Sequence, residues 1–297
     1  MKIAVIGRGA LGQYFASRLE DGGHDVTILT RQDTEISPET ELVIVTTKGW
    51  QVGPVLEKLA PIPADAPIMT TQNGVDAPVA ARAACPDNPV VATTCVVVAE
   101  RGEDGLILHG DEARVNMGEF DEQTPARAVE KIIEAFSTTP VTCIHEPDIH
   151  RALWMKLSLI ATVGGCGALG ISSERGDDGE FGTMDVGTAR EHPEMRELIR
   201  AGISEVASVA RGNGVAFSPA DEEDVYRIFT EIFAPTTTSS MQRDLAAGRP
   251  SELSDLNGAV VAYGKKAGVP TPINSTVFAT QLVRERAARA ATDEPQV

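Results

Sequence analysis

The chain has 297 residues, 42% of them hydrophobic and 23% charged, which is long for one compact domain and enough to bury real cores. Its 43 acidic against 26 basic side chains leave a formal charge of −17. Such a surface repels a phosphate backbone and argues against nucleic acid as a partner, though local basic sites for a single phosphate stay open.

Few of the basic residues are lysines, and acidic pairs such as Glu222-Glu223 recur; a salt-adapted host and codon bias both account for this. Cys85, Cys95, Cys143 and Cys166 lack the spacing of a metal knuckle or redox motif and read as reduced thiols. Cys143, His145 and His150 read as a strand-end thiol and two surface histidines, so no metal is expected. The opening apolar run is too short for a signal peptide. The most apolar stretch, Leu153 to Ile171, contains Lys156 and several glycines, which suits a buried helix better than a membrane span. A soluble, cytoplasmic protein is expected.

In chain order, Lys2 to Ile6 predicts a strand, followed by Gly7-Arg8-Gly9-Ala10-Leu11-Gly12 and a helix with apolar groups at Leu11, Phe15 and Leu19 that stops at Gly22-Gly23. Further strands are expected at Asp25–Thr30, Glu41–Thr47, Pro67–Thr71 and Val90–Val98, with helical pieces at Val55–Leu59 and Val79–Ala83. This alternation implies a parallel, doubly wound α/β sheet of the Rossmann type. Leu106 to Met117 predicts a hairpin turning near Gly110, and a helix at Pro125–Phe136 and a strand at Val141–Ile144 complete the first domain.

Beyond Pro147 the pattern becomes helical, at Ile149–Leu169, Glu194–Asn213, Ala220–Ile232, Leu253–Ala267 and Thr271–Ala291. The predicted division is a dinucleotide-binding domain at 1–146 and an all-helical substrate domain at 147–297. Leu253, Leu256, Val260, Tyr263 and Ala267 form one apolar stripe, with Ser251 as N-cap and Gly268 and Pro270 as the stop.

The glycine string lies between a strand and a helix in the first βαβ unit. Gly7 permits the tight turn, Gly9 lets the backbone approach a pyrophosphate, and Gly12 allows close helix–strand contact. The helix N-terminus then offers free N–H groups to the phosphates. After the second strand comes Thr30-Arg31-Gln32, with Asp33 late, where an NAD enzyme usually carries an acid. Arg31 can pair with a 2′-phosphate, and Lys48 adds a second cation at the end of the third strand, so NADP is the expected cofactor.

Gln72-Asn73-Gly74-Val75 follows the fourth strand at its ligand-binding end, where Asn73 can hold a substrate oxygen and position a nicotinamide. Lys156 sits on an otherwise apolar helix. There a protonated amine can stabilise the oxyanion formed by carbonyl reduction and donate its proton. A hydroxyl-rich run, Thr236 to Ser240, can bind a carboxylate, and Glu252 can orient Lys156 or a cofactor hydroxyl.

Taken together, GRGALG at Gly7, TTKGWQV at Thr46, QNGV at Gln72, LWMKL at Leu153, TTSSMQRD at Thr237, SELSDLNG at Ser251 and GVPTP at Gly268 resemble the ketopantoate reductases (2-dehydropantoate 2-reductases) from end to end. The resemblance implies a Rossmann domain and a helical domain with the active site in the cleft between them, and a place in pantothenate synthesis. It implies that Gly7, Arg8, Gly9, Ala10, Leu11 and Gly12 bind pyrophosphate, that Arg31 binds the 2′-phosphate and that Lys48 lines the cofactor side. It further implies Asn73 near nicotinamide and substrate, Lys156 as general acid, Ser240 on the substrate, and Glu252 on cofactor or substrate.

Two departures stand out. Ile160 and Gly164 occupy positions where the family carries asparagines, and the segment from Arg31 to Glu41 is short. The leading expectation is NADPH-dependent reduction of a 2-oxo acid, ketopantoate first. The alternatives are a relative reducing a less polar ketone or imine and a noncatalytic NADP(H) sensor. A homodimer is compatible with the apolar helix stripes.

Overall fold

The computed structural model describes residues 1–97, 99–102, 105–108, 113–175 and 181–292, of which 99–102, 105–108, 171–175 and 181 are described by backbone alone. In chain order the first half contains β1 (Lys2–Ile6), α1 (Ala10–Asp21), β2 (Asp25–Leu29), β3 (Leu42–Val45), α2 (Val52–Leu59), β4 (Ile68–Thr70), α3 (Ala77–Ala84) and β5 (Val90–Val96). It continues with β6 (Ala99–Gly102), β7 (Gly105–Leu108), β8 (Ala113–Glu119), α4 (Ala126–Phe136) and β9 (Val141–His145).

Seven strands form one sheet in the order β2-β1-β3-β4-β5-β8-β9. β1 pairs in parallel with both β2 and β3, so the chain reverses direction of winding between β1 and β3. Strands β3 and β4 are buried throughout and apolar except for Thr70, as sheets covered on both faces require. Alternate residues serve opposite layers. Ile3, Val5, Leu42 and Ile44 pack with Phe15 and Leu19 of α1 and with Val129, Ile132 and Phe136 of α4. Ala4, Ile6, Val43 and Val45 pack with Leu56 and Leu59 of α2 and Ala81 of α3.

β2 is one of the two edge strands, and several of its residues stay partly exposed. No helix forms between Thr30 and Glu41, the short segment noted in the sequence, and a cavity of about 190 Å³ lined by Ala4, Thr27, Leu29, Ile36 and Thr40 lies there.

The predicted hairpin over Leu106–Met117 is corrected. β7 pairs antiparallel with β6 instead, and β8 enters the main sheet antiparallel to β5 and parallel to β9. Gly110, the expected turn, lies outside the described residues. The alternation of residues 113–117 suits a local ribbon and a sheet equally, and only the sheet gives β8 a partner on both sides.

The chain divides into two units, Met1–Leu153 and Trp154–Val297. The division falls inside α5 (Ile149–Leu169), a little beyond the residue 147 expected from composition. Among the described residues, α5 is the one helix long and apolar enough to cross a membrane, and 67% of that stretch is buried within the protein, as in a core helix.

The second unit is helical, with one small antiparallel pair that sequence reading did not foresee, β10 (Ile171–Arg175) with β11 (Phe181–Thr183). It continues with α6 (Val186–Glu191), α7 (Pro193–Gly212), α8 (Pro219–Arg227), α9 (Ser240–Ala246), α10 (Ala259–Ala267) and α11 (Pro272–Ala290). Leu253, Leu256 and Val260 are buried as the stripe requires, and Gly268 ends α10 at φ 70°. The first part of that predicted helix is a π turn, Ser254–Gly258, which admits one extra residue and re-aims the side chains.

Two acids, Glu205 half-buried and Glu285 fully buried, tie segments of this unit together. Glu205 of α7 accepts the N–H groups of Ile273 and Asn274, both at 2.9 Å, satisfying the first turn of α11. Glu285, fully buried on α11, accepts from Arg289 Nε at 2.5 Å and from the Ser251 backbone and hydroxyl at 3.0 and 2.6 Å. Removing one partner of such a pair strands the other charge in the interior. Glu285→Ala should therefore lower the unfolding free energy by about 3–5 kcal/mol in urea titration. A loss below about 1 kcal/mol would show that the cluster is not what fixes the approach to residue 252.

Candidate active site

In the first unit the candidate residues gather at the carboxyl ends of β1, β2, β3 and β4, beside the reversal point where open α/β sheets bind ligands. Gly7 follows β1 with φ 113°, a conformation that L side chains avoid. Its N–H donates to Leu29 O at 2.9 Å, and Thr46 N–H donates to Ile6 O at 2.8 Å, so the turn is tied to both neighbouring strands. The Thr46 hydroxyl lies 2.9 Å from Ile6 O and 3.1 Å from Gly7 O and shares its proton between them.

A Cβ on Gly12 would stand 1.9 Å from Gly7 O, so α1 reaches its seat only because both positions lack side chains. Gly9 is the N-cap of α1 and offers no side-chain cap, and a Cβ there would meet nothing within 4 Å. Arg8 is exposed, and its carbonyl accepts from Gln13 Nε2 at 3.2 Å, while Ala10 and Leu11 begin the first helical turn.

At the end of β2, the Asp33 carboxylate accepts the Thr30 N–H at 2.7 Å and the Thr30 hydroxyl at 2.9 Å. The Thr30 N–H, more than any other group, holds that carboxyl below its ordinary range. Asp33 thus staples its own turn, and Arg31 stands exposed beside it with its carbonyl accepting from Lys58 Nζ at 2.7 Å.

Past β3, Lys48 is half-buried, and its backbone N–H donates to Gln51 Oε1 at 3.3 Å. Past β4, Gln72 is buried and donates from Nε2 to Val45 O and Thr47 O, both at 2.9 Å. This latch carries the half-buried Asn73 ahead of Gly74, which takes φ 93°. Thr46 and Gln72 were missed as positioning residues, although both stand inside motifs quoted for their neighbours.

A dinucleotide fits this edge by two independent features. The first turn of α1 is uncapped beside open space, and the Thr47 hydroxyl is buried with no hydrogen-bond partner in the protein.

In the second unit, Lys156 is half-buried on α5 between the buried Leu153, Trp154, Leu157 and Leu159. Trp154 meets Tyr263 edge-on at 5.4 Å, which fixes this turn of α5 against α10. Ile160 and Gly164 follow Lys156 at i+4 and i+8 on the same stripe. Ser240, expected to touch substrate, is exposed as the first residue of α9. Its neighbour Ser239 is the hydroxyl that meets α5. A Cβ on Gly164 would lie 2.6 Å from Ser239 Oγ. Glu252 is buried and follows Ser251, whose hydroxyl accepts the Leu253 N–H at 3.2 Å.

Burial pushes the Cys143 and Cys166 thiols up to about 12, which disfavours their thiolate forms. His145 pairs with Glu119 at 2.9 Å, and His150 reaches Phe120 O at 2.8 Å.

Against this geometry, two family models match. Residues 3–37 and 32–122 match "Ketopantoate reductase PanE/ApbA", and residues 181–286 match "Ketopantoate reductase PanE/ApbA C terminal". The chain belongs to the ketopantoate reductase family. It is an NADP-dependent oxidoreductase.

A Vibrio cholerae protein named 2-dehydropantoate 2-reductase is 26% identical, the match covering 94% of this chain and 96% of that one. A crystal structure of a PanE/ApbA family ketopantoate reductase from Ralstonia eutropha shares the fold with a TM-score of 0.79 at 22% identity, over 96% of this chain and 98% of that one. So does a D-mandelate dehydrogenase solved with NADH and anilino(oxo)acetate, with a TM-score of 0.81 at 20% identity over 97% and 99%.

Gly12→Ala tests the phosphate turn of this family member. The added methyl must lift α1 from β1, and NADPH affinity should fall about tenfold or more in a fluorescence titration. Unchanged affinity would mean that the turn does not form the phosphate site.

Proposed function

We propose that the chain reduces a 2-oxo acid to a 2-hydroxy acid with NADPH, and that Lys156 is the general acid. 2-Dehydropantoate is the substrate suggested by the family. The observation that carries the reading is Lys156 itself, a half-buried cation on an apolar core helix. A partly desolvated ammonium in such surroundings is suited to meet negative charge as it develops on a carbonyl oxygen.

The residues at the sheet edge would hold the cofactor. The N–H groups at Gly9, Ala10 and Leu11 would meet the pyrophosphate, with Gly7 and Gly12 setting the turn and Arg8 at its rim. Arg31, left exposed while Asp33 is spent on its own turn, would pair with the 2′-phosphate. The Thr47 hydroxyl and Lys48 would line the same side, and Asn73 would orient the nicotinamide amide and a substrate oxygen.

When bound, the reduced nicotinamide supplies a hydride to the carbonyl carbon. Lys156 stabilises the charge growing on the carbonyl oxygen and gives it a proton, then recovers a proton from water. Ser240 would hold the substrate carboxylate. Glu252, next in the chain to the Ser251 that Glu285 and Arg289 hold, would accept a hydrogen bond from cofactor or substrate. The reaction is taken to run in the cytoplasm. A second reading, reduction of a less polar ketone or imine, is favoured by Ile160 and Gly164, neither of which offers a side-chain hydrogen bond.

Lys156→Ala should lower turnover by about 10² or more with NADPH affinity unchanged, in steady-state assays beside a binding titration. Unchanged turnover would remove Lys156 as the acid. Arg31→Ala should raise the KM for NADPH about tenfold while leaving that for NADH nearly constant. An equal change in both would take the 2′-phosphate away from Arg31.

A further inference from the structure

Asn-Gly pairs occur in the chain at 73–74, 213–214 and 257–258, and the fold treats them differently. An asparagine followed by glycine carries a latent reaction. The glycine nitrogen can close on the asparagine Cγ, because no side chain on the second residue obstructs the approach. What holds the two reacting groups decides whether it does.

At 257–258 both are held. Asn257 is fully buried, and its Nδ2 donates to Ala161 O at 3.0 Å and to Asn274 Oδ1 at 2.8 Å. The Gly258 N–H donates to Leu253 O at 3.0 Å within the π turn. The pair at 213–214 is held in the same way. Asn213 Nδ2 donates to Val209 O at 2.8 Å, and the Gly214 N–H donates to Arg211 O at 3.0 Å. Such bonds must break before the nitrogen can give up its proton and turn to the side chain.

The pair at 73–74 lies in the bend between β4 and α3, outside any helix or strand. Among the described residues, no acceptor meets the Gly74 N–H. Asn73 is half-buried, so its side chain stays partly open to water.

We propose that Asn73 is a site of spontaneous modification, at which the Gly74 nitrogen closes on the side chain and the amide becomes aspartate or isoaspartate. The nitrogen loses its proton and bonds to Cγ, the Cγ–Nδ2 bond breaks, and ammonia leaves with that proton. Water then adds at either carbonyl carbon of the resulting succinimide and breaks the bond from that carbon to nitrogen. Opening at Cγ gives aspartate. Opening at the main-chain carbon gives isoaspartate, with Gly74 attached through the former side chain.

Either product replaces a group that donates and accepts with a negative group that only accepts. In the reductase proposed above, that charge repels an anionic 2-oxo acid, so the modification ends activity. This consequence rests on the reductase reading, whereas the modification itself does not.

The test is peptide mapping of the whole protein aged in mildly alkaline buffer, with isoaspartate and the mass gain of deamidation scored at all three pairs. Conversion at Asn73 should run about tenfold or more faster than at Asn213 and Asn257. Conversion at Asn73 no faster than at either of the others overturns the inference, whatever the activity of the aged protein. In the same samples, NADPH-dependent turnover of 2-dehydropantoate should fall in step with the fraction converted at Asn73. Full turnover by converted protein would take Asn73 out of the reductase site and leave the modification standing. Absence of turnover in fresh protein would count against the reductase reading alone.

Discussion

The seat of α1 on the end of β1 is the constraint from which the cofactor edge follows. With Gly12 against the Gly7 carbonyl, the helix axis comes within backbone distance of the strand, and its uncapped N–H groups face outward at Gly9. That seat is held from the side by Thr46, whose hydroxyl and N–H both engage the β1 end. One methyl group at position 12 would lift the helix and turn its dipole away from the place where phosphate charge is to be met. The strand order sets this turn at the reversal point, so the ends of β2, β3 and β4 present their residues to the same edge.

The second unit obeys a similar rule with different chemistry. Its axis is α5, an apolar core helix whose glycines let α9 lie flat and let α10 and α11 approach. Gly165 is hemmed by Asn257 and Val277, each within 3.0 Å of where a Cβ would be. The polar groups admitted to this interior are mostly saturated in chains, as in Glu205 to Asn274 to Asn257 to the Ala161 carbonyl. Lys156 is thus carried on a rigid support, as the proton-donor role proposed for it requires.

Asp33 illustrates how a local turn can occupy a charge that sequence position alone would leave for a ligand. A carboxylate near the end of β2 would ordinarily be read as the group that binds the ribose hydroxyls of NAD. Here its Oδ2 already accepts two bonds from Thr30, which leaves the exposed Arg31 as the prominent charge of that turn. Shortness of the following segment has a structural counterpart as well, since no helix covers β2 before β3 begins.

Residue order alone was sufficient for the glycine turn, the alternating first half, the long helices and the motif spacing that marks the family, because these depend on local periodicity and on backbone freedom at single positions. It pointed to Lys156 because a cation in an apolar run is conspicuous in one dimension. Pairings between distant segments were out of its reach. β7 joins β6 rather than β8, Gln72 latches β3, and Ser239 rather than Ser240 meets α5. Glu285 and Arg289, an i,i+4 pair on α11, are buried on Ser251 from the far end of another segment. Which face of an element becomes interior depends on what packs against it, and that is decided only when the whole chain has closed on its core.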